Sequence, residues 1–300
     1  MNQITIKNNS IELTILDFGA IIQKLIVKDK NGNPTNVVVG LENSNAYLTD
    51  NMFLGACIGR YAGRISNGKF TLEDEIYVLA EENGVHLHGG NIGFNQKYFT
   101  VDKIDNGKEP FVRLSYLSPD LEEGYPGNLK IVVTYTIIGS SLKITHEAST
   151  DKTTVVNLTN HSYFKLDTAA EVNHYDLKLN CSKITETDDN LVPTGKFSHV
   201  LASKYDFLEK KKIGETRLDT PFAIDSGSKI VAEVHSEISG ITMEVKTNQP
   251  AVVIYTPPTT GSICFETQNF PDAPNHKHFP SSVLQPGEKY LNESIFTFTI

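Results

Sequence analysis

A side-chain period of two is the feature that most constrains this chain. Leu142-Lys143-Ile144-Thr145-His146-Glu147-Ala148 alternates apolar with polar residues, as do Ile241 to Val245 and Phe296 to Ile300. Successive side chains of a strand point to opposite faces, so this pattern predicts half-buried β-strands. Leu129 to Ile138 is apolar and β-branched almost throughout, which predicts a strand buried on both faces. Turn clusters recur at short intervals, at Asn31-Gly32-Asn33-Pro34, Ser66-Asn67-Gly68, Asp105-Asn106-Gly107, Gly124 to Gly127 and Ser226-Gly227. No segment carries a 3.6-residue stripe over three turns, and short helical turns are expected only at Ser44 to Tyr47 and Lys204 to Glu209. The fold class expected is all-β. No Gly/Ser or Pro-rich spacer, low-complexity block or repeat divides the 300 residues, so one domain over 1–300 is expected, a large antiparallel β-sandwich.

Composition narrows the functional classes. The longest apolar runs fall far short of the roughly 18 to 20 residues of a membrane helix, so no membrane partner is expected. The opening Met1 to Ser10 has no basic segment leading into an apolar one, and no secretion signal is read there. A net charge of −9 argues against coating nucleic acid or anionic lipid. Cys57, Cys181 and Cys264 are few, odd in number and far apart, which argues against a disulfide framework and for a cytoplasmic location.

Residue types suited to chemistry concentrate in four patches that break the alternation. The first, Gly59 to Gly68, holds Arg60 and Arg64, two of only four arginines among 27 basic residues. A chain that otherwise uses lysine points there to a need for the planar guanidinium fork. The second is His86-Leu87-His88-Gly89-Gly90. The third, Asn157-Leu158-Thr159-Asn160-His161-Ser162-Tyr163-Phe164, surrounds one histidine with amides and hydroxyls. In the fourth, Glu266 ends an apolar run from Ser262 and leads into a proline-punctuated loop through His276. Amides, hydroxyls and guanidinium groups beside a few aromatics suit a ligand built of hydroxyl groups, each of which both donates and accepts.

Other chemistries fit less well. No phosphate-cradling GxxxxGK[ST] is present and no GxGxxG precedes a helix, so no nucleotide cofactor is expected. His86-x-His88 and His276-x-His278 could each set two imidazoles on one face of a strand. A cupin-like site would add a nearby glutamate, yet no carboxylate follows His88 until Asp102, and no metal is expected. Ser162 lacks a GxSxG elbow. A glycosidase pair could be built from Glu266 with Asp219 or Asp272, at a separation that sequence does not measure.

Together the four patches resemble the aldose 1-epimerase, or galactose mutarotase, family. The resemblance rests on Asn157 to Phe164 and on Glu266-Thr267-Gln268-Asn269-Phe270-Pro271-Asp272-Ala273-Pro274-Asn275, continued by Phe279 to Val283 and Leu284 to Glu288. Gly59 to Gly68 and Leu87 to Gly90 match the family's arginine and histidine segments in the same order, and the likeness covers essentially the whole chain. It implies a large β-sandwich, the galactose mutarotase-like supersandwich, with the sugar in an open cleft on a concave sheet. It also implies a cytoplasmic isomerase of carbohydrate metabolism, monomer or homodimer, that interconverts α and β anomers of a free aldohexose such as galactose or glucose. Carried over position by position, Glu266 corresponds to the general base and His161 to the general acid. Arg64 and His88 correspond to residues on the sugar hydroxyls and the ring-oxygen side, and Asp219 to an aspartate that binds sugar hydroxyls. A carboxyl near pKa 4.3 and an imidazole near 6.5 are the values then expected of base and acid.

The chain departs from the family pattern at Gly63, where an asparagine is common, at Lys165, and at Asp219-Thr220-Pro221-Phe222. These changes leave the proposed acid and base intact and bear on which sugar is preferred. Two alternatives stand beside this reading. One is an epimerase for another or a phosphorylated sugar; the other is a non-catalytic carbohydrate-binding protein on the same fold.

Overall fold

In the computed structural model, which describes residues 1–300, the alternating segments become the long strands of a nine-stranded sheet. Its central strands are Phe111–Ser118, Leu129–Ile138, Ser141–Thr150, Tyr290–Thr299 and Thr242–Thr247, hydrogen-bonded in that order. A six-stranded sheet runs Tyr163–Phe164, Ile263–Gln268, Ala251–Tyr255, Asp219–Ala223, Lys183–Thr187, Pro193–His199. A four-stranded sheet is built from the first segments, Gln3–Lys7 to Pro34–Asn36. The pairings in the two large sheets are antiparallel. Helix is confined to four short 3-10 turns, and no helix is long and apolar enough to cross a membrane.

The sheets bury their apolar faces against one another. Ile131, Val133, Leu142 and Ile144 of the large sheet share one apolar cluster with Val252, Ile254, Phe265 and Phe222 of the six-stranded sheet. That cluster extends from Ile6 to Phe298, so the two ends of the chain meet in the same interior. Ser141–Thr150 follows its sequence pattern, with Leu142, Ile144, His146 and Ala148 inward. His146 therefore sits on an apolar face, and neither of its ring nitrogens has a hydrogen-bond partner. Burial pushes its pKa down to about 3.

Two local expectations are corrected. Leu129–Ile138 seals mainly one face; Thr134 and Thr136 are half-buried on the other. Its β-branched content reflects fit to a pleated surface more than burial on both sides. Among strands longer than two residues, the one buried at every position is Ile263–Gln268, which carries Glu266. The Ser44 to Tyr47 turn appears as the 3-10 helix Ser44–Thr49, capped where Asn43 accepts from the Asn45 N–H at 3.0 Å. Lys204 to Glu209 forms only a turn and a bend, because Asp206 accepts from the backbone N–H groups of Ala202 and Leu208.

Arg60 serves the fold. It is 2% exposed, and its guanidinium donates to the carbonyls of Ser118, Pro119, Pro126 and Gly127 and to the Ser118 hydroxyl, at 2.6 to 3.1 Å. One buried fork thus gathers a whole connecting segment. Burial lowers its pKa to about 10, so it stays charged at neutral pH.

Candidate active site

The outer face of the six-stranded sheet owes its chemistry to strand register. Residues directly opposite one another in an antiparallel ladder point to the same face. Glu266 lies opposite Val253, and Val253 opposite Pro221. The next row reads Tyr163, Cys264, Tyr255, Asp219. On each strand the alternate residues, among them Val252, Ile254 and Phe265, face the core. A carboxylate thus reaches the outer face of a strand whose other face is apolar.

Loops close this floor into a cleft of about 840 Å³, its open mouth included, lined also by Asn51, Met52, Phe53, Gly63, Arg64, Leu87, His88, His161, Leu191 and Pro271. All five residues singled out from sequence, Arg64, His88, His161, Asp219 and Glu266, border it. Arg60 and Asp272 do not. The Asp272 carboxylate accepts from the Ser66 N–H at 3.0 Å and the Asn275 amide at 2.7 Å, which removes the Glu266–Asp272 pair as a glycosidase arrangement.

The polar motifs prove to be scaffold more than lining. Asn157 donates to the carbonyls of Ala62 and Asn269 and accepts from the Asn269 N–H. Asn160 donates to the Gly55 carbonyl and accepts from the Ser162 N–H and hydroxyl. Asn269 donates to the carbonyls of Pro280 and Ser281. These amides therefore hold loops, and the expectation that they would meet a ligand is corrected. Their effect is to fix His161, whose N–H donates to Ala56 O at 2.9 Å and whose carbonyl accepts from Gly55 N–H at 3.0 Å.

The Leu87 to Gly90 segment places the second imidazole. His88 has a left-handed backbone, φ 51°, and Gly89 follows at φ 91°. A Cβ at Gly89 would lie 1.8 Å from the Gly59 carbonyl, so only glycine fits. His88 is held reciprocally: its N–H donates to Gly63 O at 3.1 Å, and the Gly63 N–H donates to its Nδ1 at 3.2 Å. An accepting Nδ1 in a neutral ring leaves the proton on Nε2. His86 points elsewhere, between the Ala80 carbonyl and the Tyr125 hydroxyl. His276 and His278 meet the carbonyls of Pro193 and Gly195.

At the centre, His161 Nε2 lies 3.5 Å from Glu266 Oε1, and both side chains are almost fully buried. Burial raises the Glu266 pKa to about 8; the Asp219 charge adds to the rise and Arg64 opposes it. Burial lowers that of His161 to about 4. The order expected from free side chains is therefore inverted, with the carboxyl the more basic group. His88 is also held well below the ordinary histidine value, chiefly by burial, with smaller contributions from His161 and the Arg64 charge. Arg64 Nη2 stands 3.5 Å from Asp219 Oδ2 at the more open side of the cleft.

His88, His161 and Glu266 offer ligand atoms within 4.8 Å of one another, the span of a metal site. Their support is wrong for that role. A ligating imidazole donates its second N–H to an acceptor, whereas His88 Nδ1 receives an N–H and His161 Nδ1 faces the Cys264 thiol at 3.9 Å. The cluster is arranged to handle protons and hydrogen bonds.

Sequence reading missed Tyr255 and Phe53. Tyr255 comes to the cleft only through the register of two ladders, which no local signal reveals. Phe53 reads as an ordinary apolar residue in a turn.

Comparison with known proteins agrees with this fold. The sequence model of the family described as aldose 1-epimerase matches residues 2–297. Galactose mutarotase of Sus scrofa is 35% identical, over 98% of this chain and 93% of its own. The solved aldose epimerase homologue of C. elegans superposes with a TM-score of 0.95 at 29% identity, covering 99% of this chain and 98% of its own. Galactose 1-epimerase of Lactobacillus acidophilus gives 0.89 at 26% identity, covering 99% and 94%.

Proposed function

The chain belongs to the aldose 1-epimerase family, and from that premise we propose that its cleft interconverts the α and β anomers of a free aldohexose, with Glu266 as base and His161 as acid. The single observation that carries this reading is the 3.5 Å approach of the two buried groups. Between their pKa values of about 4 and about 8 the pair holds one proton. In the free cleft that proton rests on Glu266, because burial disfavours an ion pair. The productive form places it on His161, leaving Glu266 as carboxylate.

The reaction then follows from position. Glu266 takes the proton of the anomeric hydroxyl while His161 delivers one to the ring oxygen, and the C1–O5 bond breaks to give the open aldehyde. Rotation about C1–C2 presents the other carbonyl face. Closure reverses both transfers, so the protein returns to its starting state with no net proton gained. His88, with its proton on Nε2, donates a hydrogen bond toward the ring-oxygen side. Arg64 and Asp219 bind hydroxyls farther along the sugar.

An uncharged sugar fits best. Arg64 is the one cationic side chain in the lining and already faces Asp219, while Glu266 adds a second carboxyl, so a phosphate would find little to pair with. Three free, buried cysteines suit the reducing cytoplasm.

Polarimetry on freshly dissolved α-D-galactose and α-D-glucose tests the reading. Wild type is expected to speed the relaxation of optical rotation. Glu266→Gln and His161→Asn are each expected to lose about 10² to 10⁴ of the rate. Relaxation at the buffer rate with both sugars, together with retained sugar binding, would favour the non-catalytic alternative.

A further inference from the structure

Two independent observations meet at Phe53. Its backbone is left-handed, φ 58°, a conformation that bulky side chains rarely adopt. The surrounding loop enforces it: Asp50 accepts from the N–H groups of Met52 and Leu54 at 3.0 and 2.8 Å, and the Phe53 carbonyl accepts from Ala56 N–H at 3.1 Å. The same loop is tied to the site, since the Tyr163 hydroxyl donates to Met52 O at 2.6 Å and Gly55 N–H to His161 O. The second observation is where the ring goes. Its centroid lies 4.9 Å from that of His88, edge-on, and 5.9 Å from that of His161. A backbone conformation of this kind persists only where its surroundings over-determine it, and such positions gather at working sites.

We propose that Phe53 is a positioning residue, whose ring is set across both cleft imidazoles to keep water off them and hold them neutral and fixed in orientation. The inference rests on the acid–base reading of His161 given above. Among the aromatic rings beside the two imidazoles, Phe53 is the one packed against both. His161 meets Glu266 at 3.5 Å, the Cys264 thiol at 3.9 Å, and the rings of Tyr163, His88 and Tyr255 at 5.0, 5.4 and 6.4 Å. His88 meets His161, Arg64 and, farther off, His86. Arg64 and, when protonated, His161 repel a proton on His88, while Glu266 would attract one to His161 once ionised. Phe53 is the apolar residue that touches both rings, so its removal admits water to both.

Imidazole titration by NMR, run beside the pH dependence of kcat/KM, tests this. In Phe53→Ala, His161 and His88 are expected to titrate about 1 unit higher, and the acid limb of the rate profile to move with them. Phe53→Leu, which keeps an apolar cover, is expected to stay near wild type. If Phe53→Ala does not fold, Phe53→Gly opens the same space on a backbone at ease with φ above zero. Unmoved imidazole titrations in the folded variant would overturn the inference. Failure of the acid–base reading looks different: His161→Asn would keep its activity while Phe53→Ala still shifted the titrations.

Discussion

Glu266 Oε1 and His161 Nε2 face each other across 3.5 Å with their usual order of basicity reversed. Burial does this to both, since each is charged in one of its forms and the cleft floor disfavours either charge. In the free cleft the proton is thereby held on Glu266, and a bound sugar must favour the carboxylate for the reaction to begin.

The first consequence is a bell-shaped kcat/KM. Below about pH 4 the pair gains a second proton and no base is left; above about pH 8 it loses its only proton and no acid is left. A plateau between those limits is expected by polarimetry run from below about pH 4 to above about pH 8. A single limb near pH 6.5, the ordinary value of histidine, would contradict the inverted order.

Arg64 and Asp219 are expected to act on binding and on the alkaline limb in opposite senses. Asp219 raises the pKa of Glu266 and Arg64 lowers it. Asp219→Asn should therefore move that limb to lower pH and Arg64→Met to higher pH, each by about half a unit or more. Both should also raise KM by about tenfold, the loss of roughly one good hydrogen bond to the sugar. Matched shifts of the same sign would show that the pair does not sense Glu266 as described.

Arg60, though in the most arginine-rich segment of the chain, is expected to govern stability. Arg60→Lys leaves several buried carbonyls of the segment from Ser118 to Gly127 without donors, because an ammonium cannot span the guanidinium fork. A loss of about 2 to 4 kcal/mol is expected in denaturant unfolding. Wild-type KM in the fraction that folds would separate this from a role in binding.

How much of this was legible follows from the range of the signal. The long strands were readable because alternation is local, and Ser141–Thr150 obeys it residue by residue. The five site residues came from motif resemblance, and they do border one cleft. What sequence hid was long-range. Tyr255 joins the cleft through pairing with Cys264 on the next strand and with Asp219, far away along the chain. The amides of Asn157 and Asn160 looked like ligands for hydroxyls because nothing local says that they point at backbone carbonyls. The inverted acidities could not be read either, since desolvation depends on everything packed around a group.

His146 supplies a prediction of the same kind, away from the cleft. Its folded pKa, about 3, lies below the ordinary value of histidine, so its contribution to stability is present above about pH 6.5 and is lost as pH falls toward the folded value. His146→Leu removes an unsatisfied buried ring and that acid lability together. It is expected to stabilise the fold by about 1 to 2 kcal/mol at neutral pH, and by more at pH 5. Thermal unfolding at both pH values measures it, and an equal gain at each would mean that the ring takes up protons in the folded state.

The register of the cleft floor also limits how this site can change over evolutionary time. A slip of Asp219–Ala223 by one residue against Ala251–Tyr255 would turn Asp219 and Pro221 under the sheet and raise Leu218 and Thr220 in their place. Single-residue insertions and deletions inside these strands are therefore forbidden moves. Innovation in sugar preference is channelled into point substitutions at Val253, Pro221 and Tyr255, or into the lengths of the surrounding loops that carry Asn51, Gly63 and Leu191.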